Sequence, residues 1–138
     1  SSFSYNKKKI KIIVKLTNSK IIVQANMDKL AQVFINLIEN AISFSPLNSN
    51  ILIHQLTEDN KVIIYVADQG VGVNKNLKEK IFKRFYTDRS QKTKNHTGLG
   101  LSISKKIIES FDGTLEMTDT ALEGYNGACF KLKLPLKA

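Results

Sequence analysis

The sequence predicts an α+β two-layer sandwich: a mixed, mostly antiparallel sheet of about five strands, with about three helices on one face and a flexible lid. Three observations carry that expectation. β-branched apolar runs come in adjacent pairs, stretches with helical period fall between those pairs, and the regular β-α-β alternation of a doubly wound fold is missing. With 138 residues and 42% hydrophobic composition, residues 1–138 are expected to form a single domain with its own core.

Ile10 to Leu16 and Lys20 to Gln24 are β-branched runs separated by Thr17-Asn18-Ser19. They predict a hairpin, and its interspersed lysines suit a sheet edge. Leu30, Val33, Phe34, Leu37, Ile38, Ala41 and Ile42 then recur at i, i+3, i+4, i+7 and i+8. That spacing predicts an amphipathic helix of roughly 15 residues. Asn26 or Asp28 can cap it, and Ser45-Pro46 ends it. Ile51 to Leu56 and Lys61 to Ala67 form the next hairpin pattern around Thr57-Glu58-Asp59-Asn60. Its second strand runs directly into Asp68-Gln69-Gly70-Val71-Gly72.

A short helical piece from Leu77 to Phe85 is followed by Thr87 to Thr97, which is polar and has almost nothing to bury. Such a connection predicts a functional lid or a disordered stretch, mobile in either case. Leu101 to Phe111 repeats with helical period behind Gly98-Leu99-Gly100. The chain closes with a strand at Thr114 to Thr118, a polar turn through Gly124 and Gly127, and a strand from Ala128 to Leu134. The sheet face without helices is expected to meet solvent or a partner, and the lysines of the first and last strands suit it.

Composition narrows the function classes. The net charge is +9, yet 19 of the 21 basic residues are Lys, only Arg84 and Arg89 are Arg, and the one tight run is Lys7-Lys8-Lys9. A surface that reads nucleic acid uses more Arg and interleaved aromatics, so nucleic acid is not an expected partner. No apolar run reaches the roughly 18 to 20 residues of a membrane span. The start, Ser1-Ser2-Phe3-Ser4-Tyr5, lacks a signal-peptide core and reads as the edge of an excised fragment. Cys129 has no second cysteine to pair with, which favours a reducing compartment and a role as a small buried apolar group.

Three constellations can carry chemistry. Asp68 stands where an apolar strand stops, followed by Gly70 and Gly72. A strand can present such a carboxylate as a fixed acceptor while the glycines let the backbone approach a ligand, although ordinary strand-ending turns share the pattern. On the first helix Asn36, Asn40 and Ser43 fall at i, i+4 and i+7, a polar line beside the apolar stripe. Surface asparagines also produce that spacing, but a carboxamide oxygen is a hard ligand suited to Mg²⁺ shared with phosphate. Gly98-Leu99-Gly100-Leu101 opens a helix, where backbone N–H groups bind phosphate without side chains.

The ordered set resembles the catalytic ATP-binding domain of bacterial sensor histidine kinases, from the superfamily shared with gyrase, Hsp-type chaperones and MutL. Leu30 to Pro46, with Asn36 and Asn40, is similar to the N box, and Asp68-Gln69-Gly70-Val71-Gly72 to the G1 box. Ile81 to Tyr86 is similar to the F box, Thr97-Gly98-Leu99-Gly100-Leu101 to the G2 box, and Gly127 to Phe130 with Leu134-Pro135 to the terminal strand. The resemblance implies that Asp68 accepts a hydrogen bond from the adenine amine and that Asn40 holds Mg²⁺, with Asn36 beside it near the phosphates. It also implies that Gly98 to Leu101 place backbone N–H groups at the phosphates, with Thr97 among the nucleotide-binding residues, while Phe82 and Phe85 anchor an ATP lid. Ser43 and Thr87 stand where many relatives carry a basic residue. Arg89, Lys92 or Lys94 are candidates to replace that charge, by position alone.

Hydrolytic members of the superfamily use a Glu where this chain has Asn36, and an amide cannot activate water. The resemblance therefore implies a kinase that binds Mg-ATP and gives its γ-phosphate to a histidine on a separate dimerisation domain, upstream of a response regulator. Neither His54 nor His96 lies in a phosphoacceptor motif. The fragment is expected to be monomeric and cytoplasmic, its parent a homodimeric inner-membrane sensor. The alternatives are an ATP-binding module without transfer activity and an anti-sigma-type protein-serine kinase, which Asn36 disfavours.

Overall fold

The computed structural model describes residues 8–17, 20–71, 80–82, 100–118 and 122–137. Along the chain these form β1 (Lys11–Leu16), α1 (Met27–Phe44), β2 (Asn50–Glu58), β3 (Lys61–Ala67), a 3₁₀ turn (Lys80–Phe82), α2 (Gly100–Ser110), β4 (Thr114–Met117) and β5 (Cys129–Pro135). The five strands make one sheet in the order β1-β2-β3-β5-β4. β1 runs parallel to β2 and every other neighbouring pair is antiparallel. The α+β class and the mixed sheet agree with the sequence reading.

Strand alternation sorts the two faces of the sheet. Ile51 of β2, Val62 and Val66 of β3, Leu115 of β4, and Phe130, Leu132 and Leu134 of β5 are buried with Val33, Leu37 and Ala41 of α1 and Ile108 of α2. The intervening residues form the opposite face. There the register lines up Lys15, His54, Tyr65, Lys131 and Glu116 across all five strands. Lys131 Nζ stands 5.8 Å from the Tyr65 ring centroid and the His54 and Tyr65 rings are 6.5 Å apart, so the polar row is also packed.

The 18-residue α1 begins where its cap allows. Asn26 is extended, and its side chain accepts from the Lys29 N–H at 3.0 Å. Ser45 closes the other end, its N–H bonding the Ile42 carbonyl and its Oγ the Ala41 carbonyl. The β2–β3 connection is tighter than the four-residue turn expected. β2 extends to Glu58, and only Asp59 (φ 52°) and Asn60 (φ 63°) turn the chain. Two residues with φ > 0 match the twist of a two-residue hairpin, and Asp and Asn tolerate it well.

One expectation needs correcting. The first predicted hairpin does not exist: Lys11–Leu16 pairs in parallel with Asn50–Gln55, and residues 20–24 are not a sheet strand. Thr17 closes the β1–β2 pairing by donating both its N–H and its Oγ to the Gln55 carbonyl. The 20–24 run keeps its alternation by packing Ile21 and Val23 on the core with Ile22 outside, and Ile22 accepts one bond, from the Lys137 N–H at 2.8 Å. Alternation names the buried face of a segment and leaves its partner to the rest of the chain. Two α-helices stand among the described residues. Of the expected Leu77–Phe85 helix only Lys80–Phe82 is described, as a 3₁₀ turn, and the predicted lid, Thr87–Thr97, lies outside the described residues.

Removing the cap of α1 tests this account of its boundary. Asn26→Ala is expected to lower unfolding free energy by about 1 kcal/mol and Asn26→Asp by much less, measured by urea denaturation. Equal losses would show that the cap is not what fixes the helix start.

Candidate nucleotide site

β3 lies at the centre of the sheet between β2 and β5, and Asp68 is the first residue past its end. Asp68 N–H donates to the Ala128 carbonyl at 3.0 Å and its carbonyl accepts from Gly127 N–H at 3.1 Å, which carries the β3–β5 pairing past the last ladder residue. The side chain is 1% exposed. Its Oδ1 accepts from Gly70 N–H at 2.9 Å and from Ala128 N–H at 3.0 Å. Its Oδ2 is buried and has no hydrogen-bond partner among the described residues. Burial raises the Asp68 carboxyl above its ordinary 3.8, against the lowering pull of the Gly70 and Ala128 N–H groups. One oxygen is thus locked by backbone donors while the other is an unmet acceptor.

Two glycines make this packing possible. A β-carbon at Gly127 would overlap Asp68 Oδ1 and come within 2.5 Å of Gly70 N. A β-carbon at Gly70 would drive into the Phe44 carbonyl oxygen, which seats the turn after β3 on the last turn of α1. Gln69 clips the same turn in place: its Oε1 accepts from Asn50 N–H at 2.7 Å and its Nε2 donates to the Gly124 carbonyl at 3.0 Å. Burial, reinforced by the Asp68 charge, pushes the neighbouring Cys129 thiol up to about 11, so it stays protonated and apolar.

The polar line on α1 is present. Asn36 Nδ2 donates to the Gly100 carbonyl at 3.3 Å and to Ser104 Oγ at 3.1 Å, tying the middle of α1 to the first turn of α2. Asn40, one turn on, is 4% exposed. Ser43 Oγ donates back to the Asn40 carbonyl at 2.7 Å, so that hydroxyl serves its own helix. Leu101 is buried in the core and anchors the start of α2. Phe82 meets Phe130 edge-on at 6.0 Å between centroids, and Lys105 Nζ lies 5.0 Å from the Phe82 ring centroid. Gly72, Phe85, Arg89, Thr97, Gly98 and Leu99 lie outside the described residues.

The structure therefore joins Asp68 and Gly70 to the end of the asparagine helix, and that helix to Gly100. Sequence reasoning missed the parts of Gly127 and Ala128, which hold Asp68 from 60 residues away, and of Ser104, the partner of Asn36. A glycine just before the last strand was a visible hint for the first pair. Ser104, buried within a helix otherwise lined by isoleucine and leucine, had no signal of its own.

Residues 25–138 match the family of histidine kinase-, DNA gyrase B- and HSP90-like ATPases. The chain belongs to that family. Among curated relatives of this ATPase domain, the sensor histidine kinase TmoS of Ectopseudomonas mendocina is 36% identical over 121 residues, covering 86% of this chain and 12% of TmoS. WalK of Bacillus subtilis is 30% identical over 93% of this chain and 21% of its own length. Among solved structures, the catalytic domain of histidine kinase ThkA superposes with a TM-score of 0.81 at 33% identity, covering 97% of this chain and 84% of that one. ThkA also matches in its complex with the response regulator TrrA, at a TM-score of 0.78 and 31% identity over 99% of this chain and 37% of that one. The chain thus spans about an eighth of TmoS and about a fifth of WalK.

Asp68→Asn keeps an oxygen for Gly70 and Ala128 and turns the unmet acceptor into a donor. It is expected to weaken ATP binding roughly 10- to 100-fold, the loss of one hydrogen bond to a charged group, measured by calorimetric titration. The folded chain holds the Asp68 proton more tightly than the unfolded chain, so this group makes stability fall as pH rises from 3.8 through the raised value. Urea unfolding across that window should show Asp68→Asn gaining on wild type as pH rises; a parallel course would contradict the buried-carboxylate account.

Proposed function

We propose that this ATPase domain is the Mg-ATP-binding part of a sensor histidine kinase and presents the γ-phosphate to a histidine outside these residues. The observation that carries the proposal is the unmet Asp68 Oδ2 at the end of the central strand. A buried acceptor with no donor costs about 1 to 3 kcal/mol, more when charged, and an N–H donor removes that cost. The exocyclic amine of adenine supplies such a donor. The carbonyl of guanine at the same position would repel the carboxylate, so one atom selects ATP over GTP.

The donor chemistry fits Mg²⁺. Among the described residues no three His, Cys, Asp or Glu side chains come together as a metal site. A cation here would take few protein ligands and several phosphate and water oxygens, the habit of Mg²⁺. Asn40 is the side chain assigned to it, and when bound it neutralises charge between phosphates. Asn36 lies one turn away with its amide given to α2, and an amide cannot act as a base for water. That favours transfer to a nucleophile delivered by another domain over hydrolysis. Gly98, Leu99, Gly100 and Leu101 are assigned to the phosphates, Gly72 to the adenine turn, and Phe85, Arg89 and Thr97 to the lid, on the family pattern.

In this reading the chain contributes position and charge. It holds adenine at Asp68, aligns the triphosphate along α1 toward the start of α2, and leaves bond formation to an imidazole nitrogen of the dimerisation domain, ADP departing. The 138 residues then act as the cytoplasmic ATP-binding unit of a longer homodimeric sensor protein whose phosphate passes on to a response regulator. No helix among the described residues is long and apolar enough to cross a membrane. The alternative, an ATP binder without transfer, draws on Ser43, whose hydroxyl is turned into its own helix where relatives place a cation.

Mixing the chain with the dimerisation domain of its own longer protein and labelled ATP separates these readings. Phosphohistidine on that domain is expected, and Asn40→Ala should lower its rate at least tenfold by losing the metal-dependent share of ATP binding. ATP binding without phosphohistidine would select the transfer-free module. Equal affinity for ATP and GTP would overturn the adenine assignment itself.

A further inference from the structure

The last turn of α1 has no basic residue of its own. Its carbonyls, which the helix leaves without intrahelical partners, are the negative end of the macrodipole. Lys8, some 35 positions earlier in the chain, occupies that end. Its Nζ donates to the carbonyls of Ile42 at 2.8 Å, Ser43 at 3.3 Å and Ser45 at 3.0 Å. An ammonium carries three donors, and these three bonds use all of them. The Lys8 backbone is fixed as well, since its carbonyl accepts from Asn48 N–H at 2.8 Å, and β1 begins three residues later with Lys11 N–H bonded to the Ser49 carbonyl.

The carbonyls that Lys8 grips flank Phe44, whose carbonyl oxygen abuts Gly70 so closely that a β-carbon there would not fit. Gly70 N–H is one of the two donors that hold Asp68 Oδ1. A continuous line of contacts therefore runs from Lys8 through the last turn of α1 and Gly70 to the carboxylate whose other oxygen is unmet.

We propose that Lys8 is a positioning residue for Asp68, clamping the end of α1 so that the turn after β3 presents the carboxylate to the base of the nucleotide. All three Lys8 Nζ donors are spent on carbonyls at the end of α1. Lys8 acts on where Gly70 N–H sits, and hence on the aim of Asp68, so its effect falls on recognition of the base and not on the phosphates. This rests on the adenine reading of Asp68 given above.

The test compares wild type with Lys8→Met, which keeps the stem and removes the donors, and Lys8→Arg, which keeps charge and donors. ATP and adenosine are each titrated well below the thermal transition of every variant. Lys8→Met is expected to weaken both ligands by the same factor, about tenfold, with Lys8→Arg recovering most of it. Without ligand, the Gly70 amide resonance should shift in Lys8→Met and return toward its wild-type position in Lys8→Arg. Folded Lys8→Met with wild-type affinity, or a loss seen with ATP and absent with adenosine, overturns the role of Lys8 and leaves the adenine reading standing. Wild type that binds neither ligand overturns both. If Lys8→Met does not fold, Lys8→Gln, which keeps an uncharged donor, is read against the same two ligands and the same outcomes decide.

Discussion

Two backbone N–H groups, from Gly70 and Ala128, converge on one oxygen of a carboxylate that has been removed from water. Two such bonds do not restore what a buried charge loses, and the raised Asp68 carboxyl is the thermodynamic trace of that deficit. The surroundings are organised to keep Asp68 in place despite it. The central position of β3 gives it a rigid base, Gly127 leaves room for Oδ1, and Gln69 pins the following turn to β2 and to the 122–127 segment. A deficit maintained by this much structure is characteristic of a binding site, where a ligand rather than the protein supplies the missing donor.

The second half of the site depends on α1 being long and held at both ends. Its Asn26 cap fixes where the helix starts, and hence the face on which Asn36 and Asn40 fall. The contact of Phe44 with Gly70 ties its far end to Asp68, while Asn36 ties its middle to Gly100 and Ser104. A single helix therefore spans the distance between the Asp68 carboxylate and the start of α2. The helix and strand faces that do this work are the same ones that bury the core, so stability and site geometry share residues.

The opposite face of the sheet has a different character. Its central row, Lys15, His54, Tyr65, Lys131 and Glu116, mixes charge and aromatic surface, and the lysine stems can cover apolar area while their charges stay in water. This is where part of the +9 net charge resides, away from the candidate nucleotide site.

Most of the site was legible in sequence because its chemistry is local. Asp68 with Gly70 and Asn36 with Asn40 are spaced within one turn of strand or helix, where periodicity fixes which side chains are neighbours. The same periodicity placed α1, β2, β3, α2 and β5. It could not choose partners: β1 took β2 in parallel instead of the nearby 20–24 run, and Asp68 found Ala128 across 60 residues. Pairings of that range are settled by which arrangement buries the most apolar strand and satisfies the most backbone groups at once. The residue types and their order thus establish a carboxylate, two amides and a glycine turn in the order the family shares. Long-range packing establishes that Gly127 and Ala128 hold Asp68 and that Lys8 holds the end of α1.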